Sequence, residues 1–296
     1  MSLFIKQAIP FILNENRIND LTNEVFQECT FSAPNGLDWF SQGFIPPIYT
    51  NDSLVFKTQD IVQVALQKEE KILPAAVISD LVNEKIQTIE AEEVRNVARK
   101  EKQALKEQIT DDLLPRAFTR KKVTRGYFTP NILFVDSASA TPAEELLSKV
   151  RQIMGGLDAA LAKTHTSVSD LMTSWLTQKQ ADGYFVLDSD CLLKGIGEGA
   201  SSIRASKHDL TADEIKAHLE TKRVSQLGLI WADKVRFVLT EDFAFKRIQF
   251  LDVLQKEASD EGEDKETLIA AAQIIMIREL NLLFNELVEH LGGLAS

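Results

Sequence analysis

The sequence predicts an α+β fold, and three observations carry that expectation. Val224 to Ala232, Lys234 to Thr240 and Ala244 to Phe250 follow one another as a strand meander, with turns at Ala232-Asp233 and Glu241-Asp242. Apolar residues recur at helical spacing at Ile78, Val82, Ile86 and Ile89, and again along Thr267 to Leu291. Strands and helices come in blocks, without the regular βαβ alternation of a parallel sheet.

The chain has 296 residues, enough for one large domain or two to three smaller ones. Apolar residues make up 44% and charged residues 26%, a globular composition. No uninterrupted apolar run reaches the roughly 18 residues that span a bilayer, so no membrane association is expected. Met1 to Lys6 does not read as a signal peptide, because Lys6 follows the first apolar residues and no long apolar core comes after it. Cys29 and Cys191 lie far apart and are expected as reduced thiols in the cytoplasm.

The net charge is −11, which alone speaks against nucleic acid. The charge is segregated, however. From Arg95 to Arg125 there are ten cations and four anions, a balance of +6; from Asp252 to Glu266 there are seven anions and two cations, a balance of −5. A basic surface can therefore exist on this acidic chain.

In chain order, Leu3 to Leu13 reads as a strand broken near Pro10 and Asn14 to Glu28 as a helix. Ala33-Pro34-Asn35-Gly36 is a turn, and Leu37 to Tyr49 an apolar loop. Ser53 to Lys57 and Asp60 to Lys68 form a strand pair. Pro74 to Leu113 is helical, with a break near Lys100 to Lys102; its second half is too polar to bury much of itself and is expected to project. Pro115 ends it, since proline lacks the N–H and clashes with the preceding turn. A basic loop tip follows, in which Arg116, Arg120, Lys121, Lys122 and Arg125 surround Phe118, with no acid from Pro115 through Val135.

Lys122 to Thr129 and Ile132 to Val135 are strands around Pro130-Asn131. Thr141-Pro142-Ala143-Glu144 opens a helix as N-cap, N1 and N3, and Gly155-Gly156 closes it. Ser167 caps a helix to Gln178. Tyr184 to Leu187 and Ser202 to Ala205 are strands, and Thr211 opens a short helix to Thr221. After the meander, Asp252 to Glu266 reads as a loop and helix start. Three parts result: 1–73 and 126–296 as α+β body, and 74–125 as helical arm and tip.

No catalytic constellation is visible. Gly195-Ile196-Gly197-Glu198-Gly199 lacks the lysine and hydroxyl of a phosphate loop and reads as a glycine turn. Four histidines and two cysteines show no metal spacing, and no cofactor is implied. Asp188-Ser189-Asp190-Cys191 offers two carboxylates, too few for a two-metal nuclease. Binding is the remaining reading, with a second cationic site at Arg204 and Lys207 before the helix start at Thr211.

Several stretches resemble the bacterial RdgC family of recombination-associated proteins, over essentially the full chain. They are Lys68 to Pro74, Leu113 to Phe118, Val135 to Ala140, Ile203-Arg204-Ala205 with Lys207, Asp209-Leu210-Thr211 with Glu214-Ile215, and Leu291-Gly292-Gly293. The resemblance implies a ring-shaped α+β homodimer. Its basic hole would encircle duplex DNA without sequence preference and restrain the RecA recombinase, in the cytoplasm at the nucleoid, with no catalysis. By position it implies Lys71, Arg95, Arg99, Arg116, Arg204 and Lys207 as DNA-facing cations, to which charge adds Arg120 and Lys121. It also makes Phe118 the latch between subunits. Ser206 departs from the family pattern, where a second lysine is common. The alternative is an interaction protein acting mainly on the recombinase, with DNA secondary.

Overall fold

The structure, a computed structural model, describes residues 3–197, 200–260 and 264–295. These residues form twelve strands and eight α-helices in chain order. They are β1 (Gln7–Leu13), α1 (Asn23–Gln27), β2 (Phe40–Ile45), β3 (Val55–Thr58), β4 (Ile61–Ile72), α2 (Ala75–Glu93), α3 (Arg99–Leu113), β5 (Phe118–Phe128), β6 (Ile132–Val135), α4 (Ala140–Met154), β7 (Ala159–Leu161), α5 (Val168–Gln178), β8 (Phe185–Gly195), β9 (Ser202–Ala205), α6 (Asp213–His218), β10 (Lys222–Trp231), β11 (Val235–Thr240), β12 (Phe245–Phe250), α7 (Asp252–Asp260) and α8 (Lys265–His290). The fold is α+β; β1 pairs with β12, β6 and β7, β10 with β8 and β11, β11 with β12, β4 with β2 and β3, β5 with β6 and β8 with β9, each antiparallel.

The chain divides into two units that interleave along the sequence. Unit 1 comprises residues 1–26, 46–64 and 124–296; unit 2 comprises 27–45 and 65–123. The chain passes from one to the other within β4 and within β5.

In unit 1 the strands run in the order β6-β1-β12-β11-β10-β8-β9. The predicted meander is β10-β11-β12, from Gln226 opposite Thr240 to Val235 opposite Phe250. α8 packs on this sheet through Ile275, Met276, Leu280, Leu283, Phe284 and Leu287, all buried. By length and composition α8 could cross a membrane, but its apolar residues are the core of this unit. Asp264 caps it, accepting from the N–H of Glu266 and of Thr267.

β1 is continuous, contrary to the expected break. Gln7 and Ala8 pair with β12 on one side and Phe11 to Leu13 with β7, which leaves Pro10 opposite neither. The missing proline donor falls in that gap. The expected helix at Asn14 to Glu28 is instead a 3₁₀ turn at Ile18–Asp20 and the short α1. Asn16 there accepts the N–H of Ile18, a local bond that competes with helix. α4 begins before the expected cap, with Ser139 as N-cap, and ends as expected at left-handed Gly155. Ser167 caps α5 through the Asp170 N–H, as expected. β8 runs well past Leu187 to Gly195 and includes Asp188 to Cys191. α6 is shorter than expected and starts from Ala212 rather than Thr211, because Asp209 takes both the N–H and the hydroxyl of Thr211. Asp252 to Asp260 is helical, not loop. Glu198 and Gly199 of the expected glycine turn, and residues 261–263 of the acidic run, lie outside the described residues.

Unit 2 is built on β2, β4, the start of β5, and the helix pair α2–α3. The expected loop at Leu37 to Tyr49 contains β2, with Phe40 opposite Glu70 and Ile45 opposite Ala65. Gly43 is required there, since a Cβ would lie 2.5 Å from the Phe31 Cα. Ile78, Val82, Ile86 and Val97 form the small core of the helix pair. The break between helices comes at Val94 to Ala98, earlier than expected. Val94 is 88% exposed and left-handed, with φ of 50°, unusual for a β-branched residue.

Candidate nucleic-acid interface

α3 buries none of its residues, as its charge predicts. Its first three turns carry Arg99, Lys100, Lys102 and Lys106, which with Ser79, Val82, Asn83 and Gln103 line a groove of about 650 Å³ between α2 and α3. None of these four cations has an ion-pair partner among the described residues. Arg99 is thus placed among other cations, whereas Arg95 is not. The Arg95 guanidinium meets Glu101 with both Nη atoms, each at 2.7 Å, and Glu93 through Nε at 2.6 Å. These bonds, Glu101 first, raise its already high pKa and pull that of Glu101 down.

The basic stretch after Pro115 is not a loop tip. Leu114–Arg116 is a 3₁₀ turn and β5 starts immediately at Phe118. Phe118 is 86% exposed, and Thr119 to Lys122 are exposed with it. Strand alternation puts Phe118, Arg120 and Lys122 on one side and Lys121 on the other. Arg120 donates to Glu70 at 3.0 Å and holds the Glu70 carboxyl below its usual range; Lys121 lies 3.7 Å from buried Glu69. Arg116 is exposed and has no ion-pair partner among the described residues.

Lys71 stands apart from the other candidates. It is 9% exposed, and its ammonium donates to the carbonyl of Gly36, in the turn predicted at Ala33 to Gly36. Its N–H is also used, by the Trp39 carbonyl. Lys71 therefore ties that turn to β4.

In unit 1, Arg204 on β9 and Lys207 beyond it stand beside two arginines that sequence reasoning missed. Asp190 on β8 accepts the Lys207 N–H at 3.1 Å and the Arg247 guanidinium at 2.7 Å; Asp188 lies 3.4 Å from Arg236. Arg247 and Lys207 are both left-handed, with φ of 52° and 54°. Arg247 falls where β11 and β12 slip register, a bulge that re-aims its side chain. The signal for both lay in the meander, whose cations at outward positions were read only as strand. Asp188 and Asp190 are thus held by arginines, and burial pushes the Cys191 thiol up, away from reactivity. Among the described residues no three His, Cys, Asp or Glu converge as a metal site.

A family model described as "RdgC: Putative exonuclease, RdgC" matches residues 3–294. The chain belongs to the RdgC family. A "Recombination-associated protein RdgC" of Neisseria meningitidis serogroup A is 47% identical over 98% of this chain and 99% of its own length. The RdgC proteins of Laribacter hongkongensis and Pseudomonas syringae pv. tomato are 45% and 40% identical, over 90% and 85% of this chain. As an RdgC chain it is a member of a recombination-associated family; the exonuclease description belongs to the family model, and the relatives' names do not carry it.

Proposed function

We propose that this protein binds duplex DNA without sequence specificity, as a homodimeric ring closed around it, and so restrains RecA-dependent recombination at the nucleoid in the cytoplasm. The observation that carries the reading is the row of exposed cations on unit 2, Arg99, Lys100, Lys102, Lys106 and Arg116, none of them ion-paired among the described residues, on a chain of net charge −11. Such cations meet phosphates rather than base edges. Arg204 and Lys207, with Arg236 and Arg247, supply a second patch; Arg95, Arg120 and Lys121 join after exchanging their carboxylates. Lys71 is left out because its ammonium is already used.

Phe118 supports the dimer. An exposed phenylalanine flanked by Arg116 and Arg120 asks for an apolar slot with acidic rims. Leu81, Ile109 and Leu113 line an apolar groove of about 400 Å³, with two carboxylates, Glu84 and Asp112, and one cation, Lys85, beside them. Knob and slot on the same unit make a self-complementary, two-fold contact.

If about three cations per protomer reach phosphate, the dimer neutralises roughly six, and affinity should fall on the order of 10³ between 50 and 200 mM salt. Equal affinity at both salts would overturn the reading. If unrelated duplex fails to relieve inhibition of the recombinase, the protein acts on the recombinase itself. The nuclease reading rests on Asp188 and Asp190, two carboxylates that share a side of β8. Both are occupied by arginine, and magnesium-dependent degradation of duplex would be needed to restore it.

A further inference from the structure

Unit 1 contains a cavity that none of the proposed DNA-facing cations lines. Its volume is about 340 Å³, the lower end of the range for small-molecule sites. Phe4, Ile5, Ile48, Ile269 and Met276 form an apolar wall, of which Ile5, Ile48 and Met276 are buried. Leu3 and Tyr49 also line it and are 45% and 63% exposed, large apolar side chains left open to solvent.

The charge on this cavity is unbalanced. Among the described residues, its charged lining is Lys6, Arg125 and Asp136. Arg125 and Asp136 are half-buried and close enough for the guanidinium to favour the carboxylate, to which Gln7 also donates. That pair is neutral in sum. Lys6 is exposed and has no ion-pair partner among the described residues. A further cation stands nearby. Lys265, one turn before Ile269 on the same face of α8, holds its ammonium 5.9 Å from the centre of the Tyr49 ring. Its acidic neighbour Asp264 is engaged in the α8 cap, where it accepts from the N–H groups of Glu266 and Thr267 and from the Thr267 hydroxyl. An apolar wall beside uncompensated positive charge selects an anion with an apolar body. A neutral guest leaves the cations unused, and a cationic one is repelled.

We infer that this cavity binds a small organic carboxylate with an apolar body, its head drawn to Lys6 and Lys265 and its tail laid on the wall of Ile5, Ile48, Ile269 and Met276. Covering that wall removes apolar surface from water, which supplies affinity. The cations supply the choice of charge. Asp136 works against the guest's charge, which makes it a second, oppositely signed handle on the same site.

Calorimetric titration of the full chain with octanoate, octan-1-ol and octylammonium tests this. Octanoate should bind saturably, one per chain. Octan-1-ol keeps the tail and loses the charge, and should bind roughly tenfold weaker or worse. Octylammonium should not bind measurably. Shortening octanoate to hexanoate should weaken binding roughly three- to fourfold per methylene removed. Lys6→Gln should weaken octanoate binding roughly two- to fivefold. Lys6 is exposed, so the melting temperature of that variant should stay near the parent's. Asp136→Asn should tighten octanoate binding by a similar factor, because it removes the opposing charge. Damage to the fold would weaken binding in both variants; only a charge-selective site moves them in opposite directions. Octan-1-ol binding as tightly as octanoate overturns the site. Equal octanoate affinity in the parent, Lys6→Gln and Asp136→Asn does the same, as does the absence of saturable octanoate binding at millimolar concentration.

Discussion

Asp136 shows how one side chain can set a pH dependence. Burial raises its pKa above the usual 3.8, and Arg125 and Gln7 offset this only in part. A raised carboxyl binds its proton more tightly in the folded state than in the unfolded one. Between the unfolded value and the raised one, the folded state therefore holds more protons. Stability then falls as pH rises through that window, and the cost persists above it. Asp136→Asn keeps the shape and removes the ionisation. Its melting temperature, measured from pH 3.5 to 7, should decline less with rising pH than that of the parent, so the two curves diverge toward neutrality. Parallel curves would mean that the native environment does not penalise the carboxylate. Lys71 teaches the opposite lesson about charge: a cation in a family motif can be spent on a carbonyl 35 positions away, Gly36.

At the scale of elements, the α2–α3 turn is a basic region held in check. Arg95 is already bridged by Glu93 and Glu101, so a phosphate must displace two carboxylates to reach it. Exposed ion pairs are weak, so the restraint is modest. Replacing both acids, Glu93→Gln with Glu101→Gln, should tighten duplex binding by roughly two- to fivefold per protomer and steepen the salt dependence. Arg95→Ala in the parent should cost less than Arg99→Ala, because only Arg99 is unpaired. Fluorescence anisotropy with a random-sequence duplex at several salt concentrations measures both, and a larger loss for Arg95→Ala would contradict the screening. Elements with strong periodicity, such as the meander and α8, were legible because their burial alternates as the pattern requires. β2 was not, because Trp39 just before it and Phe40 at its start are apolar yet exposed, and its partner lies 20 or more residues ahead. The break at Val94 was misplaced because a β-branched residue in the left-handed region is the opposite of what propensity suggests. The basic stretch from Arg95 to Arg125 was legible from charge, whereas Arg236 and Arg247 were hidden in strand positions of the meander. Which of these cations are free was not legible, since their acids, Glu70 for Arg120 and Asp190 for Arg247, come from other strands.

For the whole molecule, the proposal turns on closure. A row of cations explains affinity, but an open cradle with the same cations would leave DNA equally fast whether the DNA has ends or not. A closed ring would not, because a circle can leave only when the ring opens. Burying one phenylalanine is worth ~1.5–3 kcal/mol, and a two-fold contact buries two. Phe118→Ser should therefore weaken closure by ~3–6 kcal/mol, or roughly 10²–10⁴ in the closing equilibrium. Phe118 is exposed in the free chain, so the substitution should leave the fold intact, which circular dichroism checks. The parent should stay on nicked circular duplex at salt that strips it from linear duplex of the same length. Phe118→Ser should dissociate from both alike, while its initial association, set by the cations, stays near that of the parent. Leu81→Asp, in the proposed receiving groove, should reproduce the loss from the other side of the contact. Equal retention of the parent on circular and linear duplex would remove the ring and leave a simple basic surface.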